Sequence, residues 1–317
     1  MRVFRVHGVT LGSAIALPEL TPSRASRPDC FVRLADGPRA RKADRYHAWH
    51  AGGQTRLVFL RAGDAYVLRF PGLAVFEIAA DGTFIDCRPR HGLPPSTLRH
   101  LLLDQVLPLV LSRAGRTALH ASGVHVPGIG AVAFAGGSGR GKSTIAAALS
   151  RRRWPLIADD CVVVRHEPSR GPIVVPAYPG LRLWRETTRR LGLNTSGSRA
   201  VAHYTRKVRV RVHPWRSRPS ALAAVFVLGP RYARGPAARV ERLPPRDGCL
   251  ALARVMFVLD IADRGQLQAE FAALTSIAAQ VPIYQLRVRS AGDVDEAGDV
   301  IFDVLRGGAA LRPRVDS

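Results

Sequence analysis

Ala131-Val132-Ala133-Phe134-Ala135-Gly136-Gly137-Ser138-Gly139-Arg140-Gly141-Lys142-Ser143 decides how this chain is read. An apolar run of strand length enters a G-x-x-x-x-G-K-S segment, and Thr144-Ile145-Ala146-Ala147-Ala148-Leu149 continues it as a helix. Strand, glycine turn and helix in that order describe a loop that cradles phosphate. Glycines let successive amide N–H groups turn inward, and the helix N-terminus adds its partial positive charge. Lys142 is placed to reach the outer phosphates of a nucleotide, and the Ser143 hydroxyl to ligate Mg²⁺. The nucleotide-binding set is therefore Gly136, Gly137, Ser138, Gly139, Arg140, Gly141, Lys142, Ser143 and Thr144. The alternative is a strand-to-helix glycine turn without a ligand. Lysine is scarce in the chain, only Lys42, Lys142 and Lys207, so its presence at this one position favours the phosphate reading.

The chain has 317 residues, enough for two domains, and 47% hydrophobic content excludes wholesale disorder. No apolar stretch reaches membrane-spanning length; Leu101 to Leu111, the longest candidate, is broken by Asp104, Gln105 and Pro108. Met1-Arg2-Val3-Phe4-Arg5-Val6 alternates like a strand and lacks the apolar core of a signal peptide, so a cytoplasmic protein is expected. Cys30, Cys87, Cys161 and Cys249 show no C-x-x-C spacing and read as reduced, buried thiols. Lys plus Arg number 47 and Asp plus Glu 24, a net charge of +23. The arginines are spread along the chain and no helix-turn-helix or RNA-binding signature accompanies them, so nucleic acid is not the expected partner.

Residues 1 to about 92 are expected to be β-rich. The runs 55–60, 65–70 and 73–78 are short and apolar, with Gly63-Asp64, Pro71-Gly72 and Asp81-Gly82 as turns between or after them. Residues 21–54, polar and arginine-rich, read as a long loop. Pro94-Pro95-Ser96-Thr97 opens a helix that ends near Gly115, with Ser96 or Thr97 as its cap. The expected boundary follows, giving a β-rich domain over 1–115 and a catalytic α/β domain over 116–317. In the second, strands are expected over 117–126, 155–158, 161–164, 207–212, 223–228 and 283–288, and helices over 250–261, 266–279 and 294–305.

Three segments stand in order: Leu119-His120-Ala121-Ser122-Gly123, the loop ending Gly141-Lys142-Ser143, and Leu156-Ile157-Ala158-Asp159-Asp160. An apolar strand ending in carboxylates, shortly after a phosphate loop, is where metal and attacking group are managed. Together the three resemble the catalytic domain of HPr kinase/phosphorylase, with its H-x-S strand, G-x-S-G-x-G-K-S loop and L-[VI]-A-D-D strand. The resemblance covers about Thr117 to Arg165. It implies an α/β P-loop kinase domain related in architecture to phosphoenolpyruvate carboxykinase, a mixed sheet with flanking helices, preceded by a smaller β-rich domain.

The resemblance also implies roles. Lys142 and Ser143 hold phosphates and Mg²⁺, Asp159 is the base that takes the acceptor's proton, and Asp160 and His120 support metal and base. Asp160 joins Ser143 as a metal candidate. Two adjacent aspartates leaving a strand cannot point the same way, which suits different roles for the pair.

The acidic R-G-[IL]-G segment of genuine HPr kinases does not occur downstream. Pro179-Gly180-Leu181-Arg182-Leu183-Trp184 stands instead, and it is similar to the P-x-L-R-L-W stretch of HPr-kinase-like proteins of ribosomal peptide pathways, notably lasso-peptide kinases. That likeness implies ATP and Mg²⁺ as cofactors and a partner peptide or small protein carrying an acceptor serine. Ring assemblies in the family imply a homo-oligomer.

Arg182 and Trp184 are candidates for a substrate pocket, with burial of the tryptophan in the core as the alternative. Lys207, Arg209 and Arg211 alternate with valines, so a strand there presents a basic row that could hold a phosphate or peptide carboxylate, or simply be solvated. Two competing functions remain: a nucleotide hydrolase that switches conformation, and a nucleotide-sensing module associated with nucleic acid.

Overall fold

The computed structural model describes residues 1–35, 42–198 and 200–309. Two compact units form. One contains Met1–Ala118, Arg199–Lys207 and Phe257–Glu270; the other contains Leu119–Ser198, Val208–Met256 and Phe271–Ser317. A single cut in the chain does not separate them, because two later segments return to the first unit.

The first unit carries a nine-stranded sheet. Its strands are β1 (Arg2–Val6), β2 (Val9–Ser13), β3 (Thr21–Pro22), β4 (Cys30–Leu34), β5 (Asp44–Ala51), β6 (Gln54–Ala62), β7 (Ala65–Phe70), β8 (Ala74–Ile78) and β9 (Phe84–Pro89). Their order is β3-β1-β2-β4-β9-β8-β7-β6-β5. From β5 to β9 the chain is an antiparallel meander, while β4 pairs in parallel with both β2 and β9. The β1–β2 hairpin turns on His7 and Gly8, both with positive φ (52° and 75°), the geometry a two-residue turn needs to match strand twist. Tyr66, Leu68, Phe76, Ile78 and Ile85 are fully buried, and Val67, between two of them on β7, is buried in a second cluster with Leu60 and Ala62.

The loop expected over 21–54 is not what forms. Cys30–Leu34 and Asp44–Ala51 are strands, recruited by β2, β9 and β6; pairing partners far along the chain override weak local propensity. The helix expected after Pro94 forms as α1 (Pro95–Leu101), a π-helical turn over Leu102–Val106, and α2 (Leu107–Arg113). Pro108 lacks an N–H for the Asp104 carbonyl, and the wider turn, with Leu107 N–H donating to Leu102 O, accommodates its ring. Neither Ser96 nor Thr97 caps it; Pro94 occupies that place, with Pro95 in the first turn.

The second unit is a mixed α/β assembly. After the short β10 (Thr117–Leu119) come β11 (Ala121–Val126), β12 (Gly130–Ala135), α3 (Lys142–Arg151), β13 (Leu156–Ala158), β14 (Val162–Glu167) and β15 (Gly171–Val175). Then follow β16 (Gly180–Trp184), α4 (Arg185–Arg190), β17 (Lys207–Arg211), β18 (Ser220–Leu228), β19 (Ala238–Arg242), α5 (Pro245–Ala253), α6 (Arg264–Gln280, counted with this unit from Phe271 onward), β20 (Ile283–Val288) and α7 (Val294–Ala309). The sheet runs β14-β15-β18-β12-β11-β13, with β20 added to β18 and β19 to β20; β16 and β17 pair separately.

The β12–β18 and β18–β20 pairs are parallel and their neighbours antiparallel, a mixed sheet. Parallel register places Phe134, Phe226 and Tyr284 side by side, with ring centroids 5.7 and 5.1 Å apart. Ile145 and Leu149 of α3 join Ala297 and Ile301 of α7 in the same core, and Arg152 pairs with Asp299. The strand expected over 117–126 breaks at His120, whose amide donates to Val255 O, while Leu119 bridges Met256. That bridging chain also ends the expected 250–261 helix early: α5 is shifted back to Pro245–Ala253. Among the described residues no helix is long and apolar enough to cross a membrane. All four cysteines are buried thiols, and burial pushes Cys30 and Cys87 up to about 12.

Candidate functional site

Strand β12 delivers the chain to Gly136, whose φ of 151° and whose tight approach to Leu228 leave little room for a side chain; a Cβ there would lie 3.3 Å from the Leu228 Cβ. Gly139 (79°) and Gly141 (103°) also take positive φ, and Gly141 is the residue from which α3 starts. Residues 137–140 are exposed, with nothing within 4 Å of a Cβ built at Gly137 or Gly139. An open glycine turn at the N-terminus of a ten-residue helix has the form of an anion cradle.

Lys142 is 5% exposed, so its ammonium must be held by acceptors. Its Nζ donates to Gly137 O at 3.1 Å and lies 2.9 Å from His120 Nε2. The other ring nitrogen, Nδ1, is 3.0 Å from Asp160 O. A carbonyl can only accept, so Nδ1 carries the proton and Nε2 presents its lone pair to the lysine. His120 is thus a neutral imidazole that links the lysine of the loop to the backbone of the paired aspartates.

The two aspartates diverge. Asp159 takes three hydrogen bonds: Ser122 Oγ (2.5 Å) and Ser143 Oγ (2.7 Å) donate to Oδ1, and the Arg182 amide (2.8 Å) donates to Oδ2. Asp160 has a left-handed backbone (φ 63°), which swings its carboxylate away to pair with the Arg182 guanidinium. Such a backbone is uncommon outside glycine and is held here by packing, since both aspartates are nearly buried (4% and 6% exposed).

Of the residues named from sequence, the structure brings together His120, Lys142, Ser143, Asp159, Asp160 and Arg182. Ser143 hydrogen-bonds to Asp159, while the Asp160 carboxylate pairs with Arg182. Arg182, a candidate for binding substrate, is 8% exposed and braces both aspartates. Trp184, at the end of β16, is 50% exposed and not part of the core. Along β17 the alternation is as expected, with Val208 and Val210 buried; the Arg209 guanidinium stands 5.1 Å over the Tyr178 ring. Ser122 received no role from sequence. The signal was present: two residues after His120 on an extended segment, it falls on the same face as the histidine.

No cluster of three or more His, Cys, Asp or Glu side chains among the described residues is arranged to hold a metal by itself. The Ser143 hydroxyl beside a carboxylate is a hard-oxygen pair that fits Mg²⁺ when phosphate oxygens and water complete its shell. The arrangement gathers open loop amides, a buried ammonium and an oriented carboxylate at the start of α3.

No family model matches the chain, and no curated protein matches it. A solved structure, the Hpr(Ser) kinase/phosphatase from Coxiella burnetii, is similar at 12% identity and a TM-score of 0.32, over 61% of this chain and 98% of that one. Overlap of that degree leaves function to be argued from this chain's own residues.

Proposed function

We propose that the chain is an ATP- and Mg²⁺-dependent kinase that transfers the γ-phosphoryl group to a serine hydroxyl of a peptide or small protein. Asp159 carries the reading. A carboxylate offers about four lone-pair positions; Ser122, Ser143 and the Arg182 amide use three. The remaining one suits an incoming hydroxyl beside the loop, and the three donors fix the carboxylate's orientation beforehand.

In the proposed reaction the loop amides bind the phosphate chain and Lys142 neutralises the outer phosphates, oriented by the His120 lone pair. The serine oxygen attacks phosphorus in line as its proton passes to Asp159. The bond to the β-phosphate oxygen breaks and ADP leaves. Ser143, with Asp159 beside it, would hold Mg²⁺, which would supply further charge neutralisation on the phosphates.

Calorimetric titration with Mg-ATP and a transfer assay on short serine-containing peptides test the proposal together. Saturable heat, phosphopeptide formation and its loss in Lys142→Ala are expected. Absence of heat, or ATP consumption that no peptide alters and that yields only free phosphate, refutes it.

A further inference from the structure

Strand β16 has two unlike faces. Leu181 and Leu183 are buried in the core that α3 and α7 share. Arg182 and Trp184 alternate with them and take the opposite face. There the Arg182 guanidinium pairs with Asp160, while its amide N–H donates to Asp159. Trp184 keeps an extended backbone (φ −65°, ψ 144°), so the alternation reaches it before α4 starts at Arg185.

Tryptophan is the side chain with the most apolar area to gain by burial, yet Trp184 is half in solvent. Among the exposed large apolar side chains of the described residues, it alone stands within two residues of a group that bonds Asp159. Its position is rigid, because Leu183 before it and Thr187 and Thr188 after it are buried. Charge surrounds it along the chain: Arg185, Glu186, Arg189 and Arg190 are exposed, and Arg190 pairs with Glu186 at 2.9 Å. A fixed aromatic ring inside a polar rim is the make-up of a binding anchor.

The spacing says what it anchors. Two residues of strand cover about 6.4–6.8 Å, and an extended peptide repeats over the same length. A serine delivered to Asp159 beside the Arg182 amide therefore brings the side chain two residues away level with Trp184. We propose that Trp184 selects the acceptor peptide by packing against an aromatic side chain two residues from the acceptor serine. The inference rests on the kinase reading above and adds the sequence class of its substrate.

The test uses the full chain, Mg-ATP and three heptapeptides of glutamine and alanine with a central serine. One carries phenylalanine two residues before the serine, one two residues after it, and one carries none. In wild-type protein one phenylalanine peptide is expected to show a KM at least about tenfold below the peptide without it. Trp184→Ala should reduce that difference to within about threefold, and Trp184→Phe should keep most of it. Both variants should bind Mg-ATP within about twofold of wild type by calorimetry. Equal KM for all three peptides in wild type, or a preference that survives Trp184→Ala, overturns the inference. A Trp184→Ala protein of smaller mass by light scattering, with peptide KM unmoved, also overturns it and makes the ring a contact between copies of the chain. Wild-type protein that phosphorylates none of the peptides counts against the kinase reading itself.

Discussion

Replacing Asp159 by asparagine separates the carboxylate's chemistry from its place in the hydrogen-bond network. The side chain keeps its shape, but one acceptor oxygen becomes an NH₂ group. Two orientations are available. If the amide oxygen stays with Ser122 and Ser143, the buried Arg182 N–H faces another donor and loses its partner, a cost of about 1–3 kcal/mol. If the oxygen turns to Arg182, both serine hydroxyls must rotate to accept from the NH₂, which is the milder disruption. A stability loss of about 1–2 kcal/mol follows, a fall of roughly 2–8 °C in Tm for domains of this size. That is small beside an ordinary stability of about 5–15 kcal/mol, so the variant stays folded.

Loss of a general base lowers turnover by about 10²–10⁴-fold, or about 3–5 kcal/mol in the barrier, far more than partial unfolding supplies. The assays are thermal unfolding, Mg-ATP titration and initial rates of phosphopeptide formation on one preparation. Folding and nucleotide affinity within about threefold of wild type, with turnover down at least 100-fold, is the expected pattern. A folded variant that keeps turnover within tenfold refutes the assignment of Asp159 as base and reduces it to an anchor for Ser143.

His7 provides a pH-dependent prediction in the first unit. Burial holds its pKa down from 6.5 to about 4, against a smaller opposing pull from Asp104, and it is 2% exposed with no hydrogen-bond partner at Nδ1. The folded state binds fewer protons than the unfolded one between these values. Stability is therefore full above pH 6.5 and falls by about 3 kcal/mol as pH drops to 4. His7→Asn keeps the left-handed turn and should flatten that acid limb in denaturant titrations; an unchanged limb refutes the account. Phe226→Ala removes the central ring of the Phe134–Phe226–Tyr284 row and should cost about 3–5 kcal/mol, read as a shifted denaturation midpoint. Gly136→Ala places a Cβ against Leu228 at a backbone angle alanine rarely adopts. It should lower stability by about 1–3 kcal/mol and weaken Mg-ATP binding, whereas Gly139→Ala, with open space around it, should cost only the backbone strain.

The sequence by itself determined what depends on near neighbours. Strand periodicity over 65–70 and 283–288, the glycine-bearing turn between Ala135 and Lys142, and the helical runs ending the chain all arise from interactions a few residues apart. Tertiary structure alone decided the rest. Asp159 and Asp160 are neighbours with the same chemistry, and only the distant Arg182, Ser122 and Ser143 make one a three-bond acceptor and the other half of an ion pair. Strands β4 and β5 exist because β2, β9 and β6 supply hydrogen bonds their own residues do not call for. Such contacts leave no periodic trace in the chain, because each depends on geometry that exists only after the sheet has closed.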